Sequence, residues 1–289
     1  MAFRFNFPNP DSSNDDDNEE DISGKVDDTN QEQKFSTKED GKEIFLKDHD
    51  IDLPEDVTAT IHTFNDVEVH CYNSESVEEY LCRNRPQTSN FVTAVSAHSD
   101  LVPDKYEGGL TVWECSLDLA EYLSYNKSLV QDKTVLELGC GAGIPGLCAM
   151  QCGASEVHFQ DYNSEVLEYF TIQNVHLHES CCQCRFFSGD WSYFQEIARQ
   201  QKYDVMLSAE TIYNPDNYRS LHAVFKQCLS KDGVIYLAAK SHYFGVGGGV
   251  HLFEDFIRKE GSFHIEMLQS TSTEVPRVIL RLTWRQCET

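Results

Sequence analysis

The chain has 289 residues, 40% of them hydrophobic and 11% aromatic, which is enough for one large domain with its own core. Acids outnumber bases 48 to 23, a formal net charge of -25, and this excludes a surface built throughout to grip nucleic acid or anionic lipid. No apolar run approaches the roughly 20 residues of a membrane span, and the opening Met1 to Phe7 is too short and too polar in its flanks for a secretory leader, so a soluble cytosolic or nuclear protein is expected.

The acid is concentrated at the start. Residues 1–60 hold 18 Asp or Glu against 6 Lys or Arg, and Asp11 to Asp21 alone holds seven acids. Few aromatic or branched residues interrupt residues 8–43, so that stretch cannot bury enough apolar surface to offset its chain entropy. Residues 1–50 therefore read as an acidic disordered tail, either a solubilising segment or a docking arm for basic partners. From Val57 polar and apolar residues alternate, and Ile61–Phe64, Val67–Val69 and Phe91–Val95 read as short strands. Residues 51–105 are thus an extension packed on a larger body that spans residues 106–289.

That body alternates helix and strand. Residues 111–125 read as a helix with Ser116 at its start, and Lys133–Leu138 as a buried strand. The glycine-rich turn Gly139-Cys-Gly141-Ala-Gly143 follows, and a helix opens at Pro145. Val157–Gln160 is a second strand ending at Asp161, with a helix from Asn163 to Val175 behind it. Cys184–Phe187, Tyr203–Leu207 and Gly233–Ala239 are further strands, separated by helices over residues 191–199 and 216–229. A helix near 250–260 and two strands, 263–269 and 277–285, close the chain. Such alternation specifies an α/β doubly wound sheet, mainly parallel, with ligands bound at the carboxyl ends of its strands.

A strand that runs through Gly-x-Gly-x-Gly into a helix brings backbone close to a ligand. A dinucleotide site usually shows Gly-x-Gly-x-x-Gly, whereas here Glu137 precedes Gly139 by two residues and the spacing is shorter. Asp161 ends the next strand 22 residues after Gly139, where an acid suits a ribose diol. Glu137 would repel a pyrophosphate but not a ligand carrying a sulfonium and an amino group. Gly189-Asp190-Trp191 after the third strand completes the constellation.

Together these features resemble the seven-strand, Rossmann-like class I S-adenosylmethionine-dependent methyltransferases. The sheet of that class is mainly parallel and ends in an antiparallel C-terminal hairpin. Longer strings narrow the resemblance: Tyr106-Glu-Gly-Gly-Leu-Thr-Val-Trp-Glu-Cys115, Gln160-Asp-Tyr-Asn163, Glu210-Thr-Ile-Tyr-Asn-Pro215 and His242-Tyr-Phe-Gly-Val-Gly-Gly-Gly249. They are similar to the protein-histidine N-methyltransferases that modify ribosomal protein uL3, over about residues 98–289. The resemblance implies S-adenosyl-L-methionine as cofactor, with Asp161 on the ribose hydroxyls, Asp190 on the adenine amino group and Trp191 beside the ring. It also implies that Val112, Trp113, Glu114, Cys115 and Ser116 border the cofactor, with Ser208 beside it. Glu137, Gly139, Gly141, Gly143, Gln160, Tyr162, Asn163 and Gly189 complete the implied binding set. The expected partner is uL3 or a similar basic protein, with no membrane and no direct nucleic-acid binding. A monomer in the cytoplasm, and in the nucleus or nucleolus, is expected.

The chemistry asks little of the protein's acids and bases. Neutral imidazole offers a lone pair near pH 7, so the enzyme must mainly place it and choose the nitrogen. The resemblance implies the tele nitrogen, Nε2. An acceptor for the Nδ1 proton is expected in Glu210-Thr-Ile-Tyr213-Asn214, from Glu210 or Asn214, while Asn214-Pro215 also suits a helix cap and Tyr213 also suits packing. The four glycines within Gly245–Gly249 read as a close backbone approach to substrate, a moving flap or an ordinary loop. The eleven cysteines read as reduced thiols, and His176, His178, Cys181, Cys182 and Cys184 form one crowded run without the second half a zinc knuckle needs. A lysine methyltransferase of the same fold and an acidic binding protein for basic clients are the competing readings.

Overall fold

The computed structural model describes residues 41–46, 51, 53–84, 101–102 and 105–286. The strands in chain order are β1 (Lys42–Ile44), β2 (Ala59–Phe64), β3 (Val67–Tyr72), β4 (Thr134–Leu138), β5 (Glu156–Asp161), β6 (Gln183–Ser188), β7 (Tyr203–Ala209), β8 (Leu229–Lys240), β9 (Phe263–Ser270) and β10 (Arg277–Trp284). The helices are α1 (Ser74–Asn84), α2 (Glu114–Tyr125), α3 (Ile144–Gln151), α4 (running through Ser164–Val166, Leu167–Thr171 and Ile172–His176), α5 (Trp191–Ile197), α6 (Tyr218–Cys228) and α7 (Val250–Glu260).

Apolar residues on both faces mark the central strands, as in Val135, Leu136 and Leu138 of β4, all fully buried. The main sheet has the order β1-β6-β5-β4-β7-β8-β10-β9. From β6 to β8 the pairs are parallel, and β10 is antiparallel to both β8 and β9. The chain therefore has the expected seven-strand sheet with its C-terminal antiparallel hairpin. Order reverses beside β4, so the ends of β4, β5 and β7 open onto one crevice.

An eighth strand was not expected. Lys42–Ile44 lies inside the span read as tail, yet it pairs antiparallel with β6. Ile44 is buried in the core, and Glu43 holds the Arg185 guanidinium through Nε at 2.8 Å and Nη2 at 3.0 Å. Residues 1–40 and 47–50 of the expected tail and the expected strand Phe91–Val95 lie outside the described residues.

The expected strands at 61–64 and 67–69 form a hairpin, turned by Asn65 at φ 52°. It docks through Asn174 of α4, whose Oδ1 accepts the Tyr72 amide at 2.8 Å while its Nδ2 donates to the Ala142 carbonyl at 2.9 Å. His178 Nε2 accepts the His70 amide at 3.0 Å, so this histidine of the crowded His/Cys run ties the hairpin to the body. Helix α2 begins at Glu114 because Gly108 turns the chain just before it, accepting from the Thr111 amide and from Trp113 Nε1. Ser116, expected at the helix start, instead bonds Trp113 O from inside the first turn.

Candidate active site

A cavity of about 370 Å³ lies at the carboxyl ends of β4, β5 and β7. Its floor is the glycine loop, where Gly139 and Gly141 adopt φ of 61° and 51°. Only glycine is at ease in both conformations. A Cβ on Gly139 would lie 2.7 Å from Thr211, and one on Gly141 would lie 2.9 Å from Gly109 O, so the walls close directly over the loop.

Two buried acids hold the loop. Asp161 accepts the Gly141 amide at 2.8 Å and the Asn163 amide at 3.2 Å. Burial pushes its pKa up to about 6, against the downward pull of those amides. Glu137 accepts the Gly146 amide at 2.8 Å, and burial pushes its carboxyl well above the usual range. Gly146 must be glycine for this, since a Cβ would meet Phe159 at 2.5 Å and Glu137 at 2.6 Å. Gln160 ties the rim together: its Nε2 donates to Gly189 O at 2.8 Å and its Oε1 accepts Trp191 Nε1 at 2.8 Å. Asp190 caps α5, accepting the Ser192 amide at 2.8 Å.

The loop after β7 forms the opposite wall. Glu210 has φ 58°, an unusual conformation for a residue with a side chain, and it turns the chain sharply toward Tyr213. Its carboxylate is buried and lies 3.5 Å from Lys240 Nζ, which also sits 2.9 Å from Glu114. Burial alone would lower the Lys240 pKa, but Glu210 and Glu114 outweigh it and the net shift is upward. Cys115 and Tyr243 face the same carboxylate, and burial first, then the Glu210 charge, pushes both well up. Asn214 Oδ1 accepts the Asp216 amide at 3.1 Å and so caps the helical turn that opens α6. Tyr213 is buried, and its hydroxyl donates to the Glu107 carboxylate, joining the segment before α2 to the loop after β7. Burial and then the neighbouring Glu107 charge keep the Tyr213 phenol protonated far above its ordinary range.

The cavity wall brings together most of the residues singled out in the sequence, with Val112, Trp113, Ser116, Gln160 and Tyr162 among them. Five stand off it. Glu114 turns to Lys240, and Cys115 is fully buried in the first turn of α2. Gly143 packs on Phe159 and Thr171. Asn163 holds Lys105 O at 2.8 Å from behind the wall, and the Ser208 hydroxyl is spent on Thr211 at 2.7 Å. Sequence reasoning missed Glu107 and Thr211 as wall residues. Glu107 was visible only as the second residue of the Tyr106-Glu-Gly-Gly string, and nothing local in sequence pairs it with Tyr213.

Within Gly245–Gly249, Gly248 and Gly249 serve packing. The Gly248 amide donates to Tyr213 O at 2.9 Å, and a Cβ there would lie 2.2 Å from that oxygen. Backbone meets backbone at this point, so the segment buttresses the Tyr213 loop.

Among the described residues the wall carries the acids Glu107, Glu137, Asp161, Asp190, Glu210 and Asp216 and no lysine or arginine. Such a site repels a pyrophosphate and welcomes a cation. A family profile described as lysine methyltransferase matches residues 103–249. The chain is also 37% identical over 262 residues to the histidine protein methyltransferase 1 homolog of Bos taurus, a match covering 81% of this chain and 69% of that protein. The chain belongs to this methyltransferase family. To the Mus musculus homolog the methyltransferase is 40% identical over 218 residues, covering 66% of this chain and 60% of that protein. A Streptococcus mutans structure assigned to the SAM-dependent methyltransferases shares the fold, with a TM-score of 0.51 and 14% identity over 81% of this chain and 57% of that one.

S-adenosylmethionine is the methyl donor of the methyltransferase, and the residues present fit it. Glu137 and Asp161 are both raised by burial, so a ligand bearing a sulfonium and an ammonium relieves the cost of charging them. The positive-φ glycines leave their backbone open to close approach, and the Trp191 ring stands at the rim beside Gln160.

Proposed function

We propose that the methyltransferase modifies a histidine of a basic protein, at the tele nitrogen, and that ribosomal protein uL3 or a protein like it is the substrate. The carrying observation is the 37% identity over 81% of this chain to a relative named as a histidine protein methyltransferase homolog. That the charged residues described on the wall are all acids supports a basic client. In this reading Asp161 accepts the ribose hydroxyls, Asp190 meets the adenine amino group from the start of α5, and Trp191 packs beside the ring. Gly139 and Gly141 approach the methionine part of the donor. The donor supplies an electrophilic methyl on a positively charged sulfur. The protein's own work is to hold a neutral imidazole in line with that carbon, expose Nε2 and exclude water. The methyltransferase acts as a monomer, in the cytoplasm and in the nucleus or nucleolus.

A lysine acceptor is the second reading, favoured by the description of the family that matches residues 103–249. Incubation with labelled S-adenosylmethionine and ribosomal extract, followed by fragmentation of the labelled peptides, tests both. Label on histidine in a uL3 peptide, matching the tele-methylated standard, is the expected result. Label on lysine alone refutes the histidine reading, and histidine label only outside ribosomal proteins refutes the uL3 assignment. The rate should rise with pH through the imidazole pKa and then level, whereas an unperturbed lysine acceptor would keep gaining rate toward pH 10.

A further inference from the structure

We infer that Glu210 is a specificity residue for charge: its buried, under-compensated carboxylate raises the affinity of the cavity for a donor with a positive sulfur relative to the neutral product. This rests on the donor placement above, with the methionine part at Gly139 and Gly141. The Glu210 carboxylate is 4% exposed, and among the described residues neither of its oxygens has a hydrogen-bond partner. Cys115 and Tyr243 face it as a neutral thiol and a neutral phenol, which leave its charge in place. The ammonium of Lys240 stands 3.5 Å from Glu210 but closer, at 2.9 Å, to Glu114. One cation is thus shared by two carboxylates. The neighbouring pair, Arg277 on Asp118 at 2.5 and 3.0 Å, is balanced in itself. Glu114, Asp118 and Glu210 set against Lys240 and Arg277 leave one negative charge in excess behind the wall.

The fold sets that charge beside one end of the cavity. Strand β7 lies on the opposite side of β4 from β5 and β6, so Glu210 is held away from Asp161 and Asp190, the acids assigned to the ribose and the adenine. Thr211, next in the chain, stands over the glycine loop, where a Cβ on Gly139 would lie 2.7 Å from its methyl group. The Glu210 amide donates to Ala238 O at 2.9 Å, and the Ser208 and Thr211 hydroxyls pair at 2.7 Å, so the turn is fixed on the strand ends. Burial keeps water and salt from screening the carboxylate, whose charge is felt through the wall without contact.

Methyl transfer moves a positive charge away from sulfur. The lone pair of the acceptor nitrogen forms the new bond to the methyl carbon, the pair of the carbon–sulfur bond stays on sulfur, and the acceptor gains the charge. The product thioether is neutral, so its attraction to Glu210 is gone once transfer is complete. Positive charge is present near the wall both before and during transfer. Glu210 therefore contributes to binding of the donor and little to the chemical step, since an interaction equal in both states lowers KM without raising kcat. The balance is the same for any neutral nitrogen acceptor.

Titration calorimetry on the full chain tests this without turnover, using S-adenosylmethionine, S-adenosylhomocysteine and sinefungin, in which a carbon bearing an ammonium replaces the sulfonium. Glu210→Gln should weaken the two cationic ligands on the order of tenfold and leave S-adenosylhomocysteine within about twofold of wild type. Glu210→Asp, which keeps the charge, should retain most of the discrimination. In turnover, KM for S-adenosylmethionine should rise with Glu210→Gln far more than kcat falls. Asp161→Asn removes an acceptor from the ribose common to all three ligands and should weaken all three. If Glu210→Gln does not fold, Glu114→Gln carries the measurement, because it leaves Lys240 wholly to Glu210 and should lower the same preference. A folded Glu210→Gln that weakens all three ligands alike, or none of them, overturns this inference alone. If Asp161→Asn also leaves all three affinities unchanged, the donor placement falls with it.

Discussion

The carboxylate of Asp161 accepts the Gly141 amide at 2.8 Å, joining the ends of two neighbouring strands across the floor of the cavity. Folding raises this acid from 3.8 to about 6. Stability contributed by an acid raised in this way is present below its unfolded value and is lost as pH rises through its folded value. The ligand-free protein should thus lose stability from this group between about pH 4 and pH 6. Asp161→Asn removes that loss and should melt a few degrees higher than wild type at pH 7.5, with the difference vanishing near pH 4. The same substitution should weaken S-adenosylhomocysteine binding by about 1.5–3 kcal/mol, the usual worth of a hydrogen bond to a charged group. Melts at both pH values and titration calorimetry read the two effects, and equal melting curves with equal affinity would contradict them.

Lys240 lies between Glu210 and Glu114 with only 10% of its side chain exposed. Its ammonium also stands 5.4 Å from the centre of the Trp113 ring. Removing it strands a carboxylate that is 4% exposed. Lys240→Met should therefore cost on the order of 3–5 kcal/mol, the range for breaking one side of a buried pair. The double variant with Glu210→Gln should recover a large share, because no buried charge is then left alone. Chemical denaturation of the three variants settles the point, and a double variant no more stable than Lys240→Met would show that the ammonium acts through packing.

Residues 1–40 and 1–46 should behave differently when deleted. The longer deletion removes Ile44 from the core and Glu43 from Arg185, and it uncovers the β6 edge. Burial of one isoleucine is worth about 1.5–3 kcal/mol, which in a protein of this size corresponds to several degrees in Tm. The shorter deletion should leave Tm within about a degree of wild type. Equal melting temperatures for the two truncations would mean that β1 adds nothing to stability.

Gly248→Ala should disturb the site from outside it. Its new methyl would sit 2.2 Å from Tyr213 O, and backbone cannot yield as a side chain does. The Tyr213 loop must shift, so methyl transfer should fall at least tenfold, since small misplacements at a reacting centre cost about that or more. S-adenosylhomocysteine affinity should change far less. Gly247→Ala, where a Cβ meets nothing within 4 Å, is the control for strain at a glycine of positive φ. Similar rates for Gly248→Ala and wild type would restore the reading of Gly245–Gly249 as a freely moving flap.

The parallel sheet was legible because its strands are short apolar runs separated by helices at regular spacing. Asp161 and the glycine loop were legible because their positions are set by the local turn from strand to helix. Strand β1 was hidden: three residues in an acidic stretch have no periodicity, and Ile44 is buried because the strand pairs with β6, where Phe186 lies across from it. The true surroundings of Glu210 were hidden for a related reason. Its left-handed backbone and its partner Lys240 are properties of two adjacent strand ends, which no window of sequence displays. The Tyr213–Glu107 contact likewise spans 106 residues.

One side chain gives the N-terminal hairpin a stake in ligand binding. The Asn174 amide accepts from Tyr72 with its oxygen and donates to Ala142 with its nitrogen, so β3 and the glycine loop share a single planar group. Its two ends cannot move independently. A ligand that orders the glycine loop must slow hydrogen exchange at the Tyr72 amide, and by thermodynamic reciprocity a hairpin that docks more firmly must raise the affinity for that ligand. The region from Ala59 to Tyr72 is thereby a second handle on the donor site, one that substrate-side chemistry never touches.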